Sequence, residues 1–239
     1  MNKDLPIEYK KGFTKFLGRQ INLSQRVLIP RIETEFWVAK VLSQLKKRRK
    51  KFFALDIFAG SGCIGIAVLK SSPEQCRRVD FIDLDPRAIS QIKINLKINK
   101  ISPKRYRVIK SDLFEKLEKE EKRGGLAPYR SEASGAGYDF IFANPPYVAR
   151  ERLPEVQSMV LKYEPKSAIL AGKKGLYFIK KFLKAVKNFL KEKGFIFMEF
   201  DPDQKEDIQK ILEKEGYKNF CFQKDQFKKY RFVKISKSL

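Results

Sequence analysis

The fold of this chain is decided by one stretch, Tyr138-Asp139-Phe140-Ile141-Phe142-Ala143-Asn144-Pro145-Pro146-Tyr147. Its almost continuous apolar run predicts a buried strand of a parallel sheet. Proline lacks a backbone N–H and fixes φ at about −65°, so the strand has to end at the two prolines. The stretch therefore predicts a stiff turn at the carboxyl end of a strand, where open α/β sheets bind ligands.

The turn offers a ligand two oxygen acceptors and one aromatic ring. The Asn144 side-chain oxygen and the Pro145 carbonyl can each accept one N–H of a planar NH₂ group, and Tyr147 can stack on the flat face of that group. Because a proline follows each acceptor, both oxygens are held in place before a ligand arrives. A Pro-rich turn after a core strand is the purely structural alternative.

Behind an apolar strand, Asn-Pro-Pro-Tyr resembles the active-site motif of class I methyltransferases that act on a planar amino nitrogen, of a nucleobase or of a glutamine side chain. The resemblance makes Asn144, Pro145, Pro146 and Tyr147 the catalytic residues. Such a nitrogen is a poor nucleophile, so fixed acceptors would orient it and stabilise the charge that develops on it. No titrating base is needed, which agrees with a chain that has no histidine.

A strand predicted for residues 51–58 leads into a glycine loop and then a helix, which is the layout of a nucleotide-type cofactor site. The spacing Asp56-x-x-x-Gly60-x-Gly62 departs from the dinucleotide motif and resembles an S-adenosylmethionine loop instead. The next strand ends at Asp83, where a ribose diol would be bound, although Asp83 can equally cap a turn.

A third strand, predicted for residues 106–110, leads to Asp112 and Phe114. These two residues occupy the positions at which this fold reads an adenine amine and ring face; a solvated aspartate at a strand end is the alternative. With further strands predicted for residues 194–200, 217–223 and 231–235, the pattern indicates an α/β fold. We expect a Rossmann-like, mostly parallel seven-stranded sheet with an antiparallel terminal hairpin.

The domain organisation follows from the same pattern. Residues 1–30 predict an N-terminal hairpin or arm, and residues 31–239 predict the methyltransferase domain. Its first helix, after Pro30, has Phe36, Trp37, Val38, Val41, Leu42 and Leu45 on its apolar side. Helices are also predicted for residues 86–99, 153–161, 176–190 and 203–215. Residues 115–137 are charged and then rich in Gly, Ala and Ser, which predicts a flexible insertion.

Composition limits the class of protein. With 239 residues and 43% hydrophobic residues, the chain is long and apolar enough for one globular α/β domain. It has no apolar run of membrane-spanning length and no signal core, so we expect a cytoplasmic protein without membrane contact. Cys63, Cys76 and Cys221 are far apart, which indicates reduced thiols and no metal site.

Charge is the less ordinary feature. The chain has 52 Lys and Arg residues against 28 Asp and Glu residues, which gives a net charge of +24. Such an excess favours polyanionic partners or a position close to the ribosome and its RNA. The alternative is a lysine-rich composition spread over every solvated face, since no single basic motif stands out beyond residues 46–51.

Over nearly its whole length the sequence resembles the release-factor glutamine methyltransferase family. The specific pieces are residues 27–35, Val-Leu-Ile-Pro-Arg-Ile-Glu-Thr-Glu, and residues 163–176, which begin Tyr-Glu-Pro. The resemblance implies methyl transfer from S-adenosylmethionine to the glutamine of the Gly-Gly-Gln loop of peptide-chain release factors. It implies that the cofactor is bound by Asp56, Phe58, Gly60, Gly62, Asp83, Asp112, Phe114 and Asn144. On the substrate side it implies Arg31, Glu35, Asn144, Pro145, Tyr147 and Glu164.

The resemblance also has departures. Family members usually carry an N-terminal helical bundle that grips the release factor, whereas this sequence starts at the linker hairpin, so a partner subunit could take its place. Residues 198–201, Met-Glu-Phe-Asp, replace a turn with more glycine. Two other functions remain open at this stage. One is a nucleic-acid amino-methyltransferase that acts on adenine N6 or a similar amine, and the other is a non-catalytic protein that binds RNA or the ribosome.

Overall fold

A computed structural model of the chain describes residues 5–122, 137–155, 158–165 and 168–237. The strands are β1 (Phe13–Phe16), β2 (Arg19–Asn22), β3 (Phe52–Ile57), β4 (Cys76–Asp83), β5 (Tyr106–Lys110), β6 (Tyr138–Ala143), β7 (Leu190–Glu199), β8 (Asn219–Lys224) and β9 (Tyr230–Ser236). The α-helices are α1 (Ile7–Lys11), α2 (Ile32–Leu45), α3 (Cys63–Ser71), α4 (Pro86–Ile98), α5 (Glu115–Lys122), α6 (Ser158–Tyr163), α7 (Tyr177–Ala185) and α8 (Lys205–Lys214). No helix within these ranges is long and apolar enough to cross a bilayer.

Strands β3 to β9 form one seven-stranded sheet in the order β5-β4-β3-β6-β7-β9-β8. The pairs from β5 to β7 are parallel, and β9 runs antiparallel to both β7 and β8. The predicted mostly parallel sheet with its antiparallel terminal hairpin is therefore confirmed. The strand order reverses between β3 and β6, and a reversal of this kind opens a ligand crevice at the carboxyl ends of the two strands.

Apolar side chains cover both faces of the sheet. Trp37 of α2 and Ile92 of α4 belong to the cluster on one face, together with side chains of α3. Leu117 of α5, Phe182 of α7 and Ile208 of α8 belong to the cluster on the other face. Because helices bury both faces, the central strands carry apolar residues almost continuously, which is the pattern visible in β6.

The predicted N-terminal hairpin is formed by β1 and β2, which pair antiparallel outside the main sheet. Asn95, a fully buried residue of α4, connects this hairpin to the rest of the fold. The Asn22 backbone N–H donates to Asn95 Oδ1 at 2.8 Å, and Asn95 Nδ2 donates to the Ser61 carbonyl at 2.9 Å. One side chain thus joins the hairpin, α4 and the glycine loop.

Two expectations for individual segments are wrong. Residues 115–122 are not a flexible insertion but helix α5, because Leu117 is fully buried and Glu120 pairs with Arg107 at 2.8 Å. The remainder of that prediction, residues 123–136, lies outside the described residues. On α2, Phe36 does not face the core and is 38% exposed, whereas the other five residues predicted for the apolar side are buried.

Some element boundaries also differ from the prediction. The helix predicted for residues 153–161 is a 3₁₀ turn, Arg150–Glu155, followed by α6, since Pro154 cannot donate a helical hydrogen bond. The helix predicted to reach residue 190 ends as an α-helix at Ala185 and continues as a 3₁₀ turn, Val186–Phe189. Strand β7 begins at Leu190, next to a register irregularity in its pairing with β6.

Candidate active site

A cleft of about 550 Å³ opens at the carboxyl ends of β3, β4, β5 and β6. Residues at the ends of these four strands contribute to it. The segment after the N-terminal hairpin and the loop after α6 form its sides. Its walls are formed by Val27, Leu28, Ile57, Phe58, Gly60, Ile82, Asp83, Leu84, Asp85, Pro86, Ala88, Ser111, Asp112, Leu113, Asn144, Pro146, Pro165, Ala168, Leu170 and Phe178. An apolar cleft with a few convergent polar groups is typical of a cofactor or substrate site.

The glycine loop between β3 and α3 leaves room for a ligand. Gly60 has a φ of +54°, and a Cβ added to it would meet no atom within 4 Å. Gly62, with a φ of +76°, is the N-cap of α3 and packs against Ile92, so it shapes the loop from behind and does not line the cleft. The loop is therefore built for a ligand that approaches the backbone at Gly60.

Asp56 lies behind this loop and not in the cleft. Its side chain is 1% exposed, and its Oδ2 accepts the Gly65 backbone N–H at 2.8 Å. Burial raises the pKa of Asp56 to about 8. The charge of Asp83 adds to this rise, and the hydrogen bond from the Gly65 N–H opposes it. The structure therefore gives Asp56 a role in holding the start of α3, not a direct contact with a cofactor.

Asp83 borders the cleft at the end of β4. Its Oδ2 accepts the Gly60 N–H at 2.8 Å, and its Oδ1 accepts the Asp85 N–H at 2.9 Å. Burial raises the pKa of Asp83, and the same two backbone N–H groups oppose the rise. A carboxylate has about four acceptor positions, so Asp83 can bind a ligand hydroxyl while it holds the glycine loop.

At the end of β5 the structure separates the two predicted residues. Asp112 borders the cleft and pairs with Lys181 at 3.3 Å. Phe114 is 1% exposed and stacks on Phe189 with ring centroids 4.3 Å apart, so it belongs to the core and the expectation that it reads a ring in the cleft is wrong. Leu113, which has a φ of +46°, lies in the cleft instead.

The Asn144 side chain has a defined orientation at the end of β6. Its Nδ2 donates to Thr34 Oγ1 at 3.3 Å, and Thr34 Oγ1 in turn donates to Glu199 Oε2 at 2.7 Å. Among the described residues no donor to Asn144 Oδ1 or to the Pro145 carbonyl is recorded, and Asn144 and Pro146 border the cleft. The Asn144 oxygen thus remains available to a ligand. Pro145 is buried and does not border the cleft, so the role of its carbonyl stays a prediction.

Hydrogen bonds hold both the hydroxyl and the backbone carbonyl of Tyr147. Its hydroxyl donates to Glu199 Oε1 at 3.1 Å, and its carbonyl accepts from Gln204 Nε2 at 2.8 Å. The residue does not line the cofactor cleft; it borders a second cleft of about 570 Å³, which Arg152 and Asp201 also border. The Asn-Pro-Pro-Tyr turn therefore forms the wall between two clefts.

Glu199, at the end of β7, is fully buried and organises this turn. Besides the hydroxyls of Thr34 and Tyr147, it accepts the Trp37 indole N–H at 2.7 Å. Burial raises the pKa of Glu199, while these donors and the charge of Arg231 oppose the rise. From sequence, Glu199 was recognisable only as part of an unusual turn. The signal that could have identified it is a carboxylate at the end of an apolar strand.

The residues predicted for the substrate side fall into two groups. Arg31 and Glu164 form an ion pair at 2.7 Å, which ties the segment before α2 to the loop that carries Pro165 into the cleft wall. Burial raises the pKa of Glu164, and Arg31 opposes the rise. Glu35 does not reach the cleft region as expected, because its carboxylate accepts the backbone N–H of Leu17 in the N-terminal hairpin.

The strand order, the glycine loop and the Asn-Pro-Pro-Tyr turn at one cleft define a class I methyltransferase. The chain belongs to the family of release factor glutamine methyltransferases. A family model described as "Conserved hypothetical protein 95" matches residues 39–171. The release factor glutamine methyltransferase of Clostridium botulinum is 32% identical over 236 residues, which are 98% of this chain and 76% of that protein.

One further relative agrees with this assignment, and one solved structure agrees with the fold. The release factor glutamine methyltransferase of Fusobacterium nucleatum is 34% identical over 226 residues, which are 93% of this chain but 57% of that longer protein. Among solved structures, a ribosomal protein L11 methylase from Lactobacillus delbrueckii subsp. bulgaricus superposes with a TM-score of 0.56 at 15% identity, covering 89% of this chain and 81% of that one. At this identity the structural likeness supports the fold alone.

Proposed function

We propose that this chain transfers a methyl group from S-adenosylmethionine to the side-chain amide nitrogen of a glutamine in a peptide-chain release factor. The observation that carries the proposal is the orientation of Asn144, whose amide nitrogen is bound by Thr34 while its oxygen stays available at the cleft. An oxygen in that position accepts an N–H from a substrate NH₂ group. The names of the curated relatives supply the substrate.

The residues of the turn suit an amide nucleophile. When bound, S-adenosylmethionine supplies an electrophilic methyl group. The Asn144 oxygen and the Pro145 carbonyl would accept the two N–H groups of the substrate amide, which fixes the direction of its nitrogen. The same oxygens would stabilise the positive charge that develops on that nitrogen, and they need no rearrangement because the prolines hold the backbone.

The cleft fits a nucleoside cofactor of this kind. Its walls are largely apolar, it has open space above Gly60, and it carries carboxylates at the ends of two neighbouring strands. In the proposal Asp83 binds the ribose hydroxyls, Asp112 accepts from the adenine amine, and Phe58 and Gly60 pack on the remaining surface. The free cysteines agree with a reducing, cytoplasmic location.

Substrate docking would use the positive charge of the chain. A groove of about 480 Å³ between α7 and α8 is bordered by six lysines: Lys174, Lys180, Lys181, Lys184, Lys210 and Lys214. Asp207 and Glu215 partly offset this charge. We propose that the groove attracts an acidic surface, either of the release factor or of RNA close to it on the ribosome. A separate partner subunit that grips the release factor is the competing arrangement.

A nucleic-acid amino-methyltransferase is the second candidate function, and the net charge of +24 is the observation that favours it. An exocyclic amine would meet the same two acceptor oxygens as an amide. Base-modifying enzymes also need a surface that extracts the target base from its stack. Methyl-transfer assays decide between the glutamine substrate and the nucleic-acid substrate.

One experiment separates these functions. Labelled S-adenosylmethionine is added with the purified protein to a lysate, and the label is followed after protease or nuclease digestion. The proposal expects label in protein alone. Calorimetry with S-adenosylhomocysteine tests the cofactor separately: Asp83→Ala should weaken binding by about 1–3 kcal/mol, and the exposed Asp203→Ala should not. Label in nucleic acid, or no binding of either compound, would overturn the assignment.

A further inference from the structure

Asn144 can assist an amide substrate in only one of its two side-chain orientations. With Oδ1 toward the cleft it accepts an N–H, whereas with Nδ2 toward the cleft it would place a donor against a donor. In the structure Nδ2 donates to Thr34 Oγ1 at 3.3 Å, and Thr34 does not border the cleft. The Thr34 hydroxyl must therefore act as an acceptor toward Asn144.

The Thr34 hydroxyl has one proton, and Glu199 determines where it points. Thr34 Oγ1 lies 2.7 Å from Glu199 Oε2, and a carboxylate can only accept, so the proton lies between these two atoms. The lone pairs of Oγ1 are then free to accept from Asn144. If Glu199 were replaced by a donor, the hydroxyl would turn toward Asn144, and the amide would gain by reversing its orientation.

Other donors hold Glu199 as an acceptor. The Trp37 indole N–H lies 2.7 Å from Oε2, and the Tyr147 hydroxyl lies 3.1 Å from Oε1. Thr34 and Trp37 are themselves nearly or fully buried, at 1% and 0% exposure, so water does not compete for these bonds. Trp37 stacks between Phe142 and Phe232, which fixes the direction of its N–H.

We propose that Glu199 is a positioning residue of the active site, which acts through Thr34 to hold the Asn144 amide with its oxygen toward the substrate and which anchors the Tyr147 ring at the same time. The inference rests on the proposed function only for the identity of the substrate amide. Glu199 and Thr34 border neither cleft, and they set the donor and acceptor pattern of Asn144, which does.

Three conservative variants test this relay, the hydrogen bonds that run from Glu199 through Thr34 to Asn144. Each variant is measured for turnover and for cofactor binding. Glu199→Gln exchanges an acceptor for a donor, Thr34→Val removes the hydroxyl, and Thr34→Ser keeps it. We expect the first two to lower kcat roughly 10-fold to 100-fold, which is less than the direct loss of a charge-stabilising group. Affinity for S-adenosylhomocysteine should stay within about twofold, and Thr34→Ser should restore most of the turnover rate.

Asp80→Asn is the matched control. Asp80 is also a fully buried carboxylate, and its Oδ2 accepts the hydroxyl of Tyr138 at 2.8 Å, much as Glu199 accepts that of Tyr147. Asp80 lies in the body of β4, away from the cleft walls. Its substitution should lower stability and leave kcat unchanged. If Asp80→Asn reduced kcat as strongly as Glu199→Gln, the effect of Glu199 would be general destabilisation and the inference would be wrong.

An NMR measurement tests the relay without turnover. Trp37 is the single tryptophan of the chain, so its indole N–H gives one resonance that reports the bond to Glu199. We expect this resonance to shift strongly in Glu199→Gln and little in Thr34→Val. The Asn144 side-chain amide, assigned with Asn144→Asp, should shift in both variants and stay in place in Thr34→Ser.

The two sets of data distinguish the possible failures. If the amide resonance responds as expected but no glutamine substrate is methylated, the relay stands and the proposed function fails. If the wild-type protein methylates glutamine while Thr34→Val keeps the wild-type kcat and the wild-type amide resonance, the relay is contradicted.

Discussion

Folding changes the pH range over which Asp56 is charged. Burial raises its pKa from 3.8 to about 8, so between these values the folded chain binds a proton that the unfolded chain has released. Stability therefore falls as pH rises through this window, because the unfolded state is the one that binds fewer protons. The stabilising contribution of Asp56 is complete below about pH 4 and is lost as the pH approaches 8.

We predict that Asp56→Asn becomes steadily more favourable relative to wild type between pH 5 and pH 8. Asparagine can still accept the Gly65 N–H, and it has no proton to lose. The difference in free energy of unfolding should grow by up to about 1.4 kcal/mol per pH unit, the value for one proton. Urea denaturation at four pH values measures it, with the exposed Asp203→Asn as control. Parallel pH curves for wild type and Asp56→Asn would contradict the assignment.

Single residues next to strand ends were predictable from local sequence. Gly60, Asp83, Asp112 and Asn144 lie at the carboxyl end of a strand or within three residues after it, and all four border the cleft. Glu199 was not predictable in the same way, because its partners Thr34 and Trp37 are 165 and 162 positions away in the sequence. Such contacts are set by the packing of α2 on the sheet, which no local motif records.

Phe114 and Glu35 were predicted to lie at the site, but the structure places them elsewhere. Their positions matched a family motif, but Phe114 turns into the stack of aromatic rings beside α7, and Glu35 serves the N-terminal hairpin. Position in a motif fixes where a backbone lies, whereas the direction of a side chain depends on what packs around it.

At the scale of elements, the loop before α7 supports the catalytic turn through one glycine. A Cβ on Gly175 would lie 1.9 Å from the Tyr147 carbonyl oxygen and 2.5 Å from Gln204 Nε2, and its φ is +67°. Any side chain there must push the loop away from the turn. Gly175 therefore lets this loop pack directly against the turn.

We predict that Gly175→Ala destabilises the protein by about 2–4 kcal/mol, the sum of a left-handed backbone penalty and a steric collision. Gly12→Ala is the matched control: its φ is +75°, and a Cβ there would meet no atom within 4 Å, so only about 1 kcal/mol is expected. Chemical denaturation of both variants gives the comparison. Equal losses would show that the contact with Tyr147 is unimportant.

Most elements were predictable because their hydrophobic periodicity was strong. The core strands, α2 and α4 agree with the sequence pattern to within a few residues. Helix α5 was missed because its sequence is highly charged; buried Leu117 and the ion pair of Glu120 with Arg107 anchor it. The breaks at Pro154 and at Ala185 depend on how the chain meets the sheet, so hydrophobic periodicity alone places them poorly.

At the scale of the whole molecule, the distribution of charge matters more than its sum. The groove lysines lie on α7, on α8 and in the loop before α7. The apolar side chains of α7 and α8 pack on one face of the sheet. The basic residues 46–51 follow α2, whose side chains belong to the cluster on the other face. The net charge of +24 follows from composition alone. The groove could not be predicted, because its lysines come from separate segments.

We predict that replacing Lys180, Lys184, Lys210 and Lys214 with glutamine raises KM for a release factor and flattens its dependence on salt, while kcat stays nearly constant. Exposed charges act through screened forces, with a Debye length of about 8 Å at physiological ionic strength. Replacing Lys46, Lys47, Lys50 and Lys51 removes the same charge elsewhere and serves as control. If both variants change KM equally, or if the KM of wild type does not depend on salt, steering by the groove is excluded.

The central claim is that the Asn-Pro-Pro-Tyr turn presents its oxygens to a glutamine amide, and mass spectrometry of a purified release factor tests it most directly. The factor is incubated with S-adenosylmethionine and either the wild-type protein or Asn144→Ala, then digested and mapped. We expect one methyl group on the glutamine of the Gly-Gly-Gln loop with wild type. The rate should be about 10²–10³ lower with Asn144→Ala, whose affinity for S-adenosylhomocysteine should be unchanged. An unmodified glutamine with wild type, or full modification by Asn144→Ala, would contradict it.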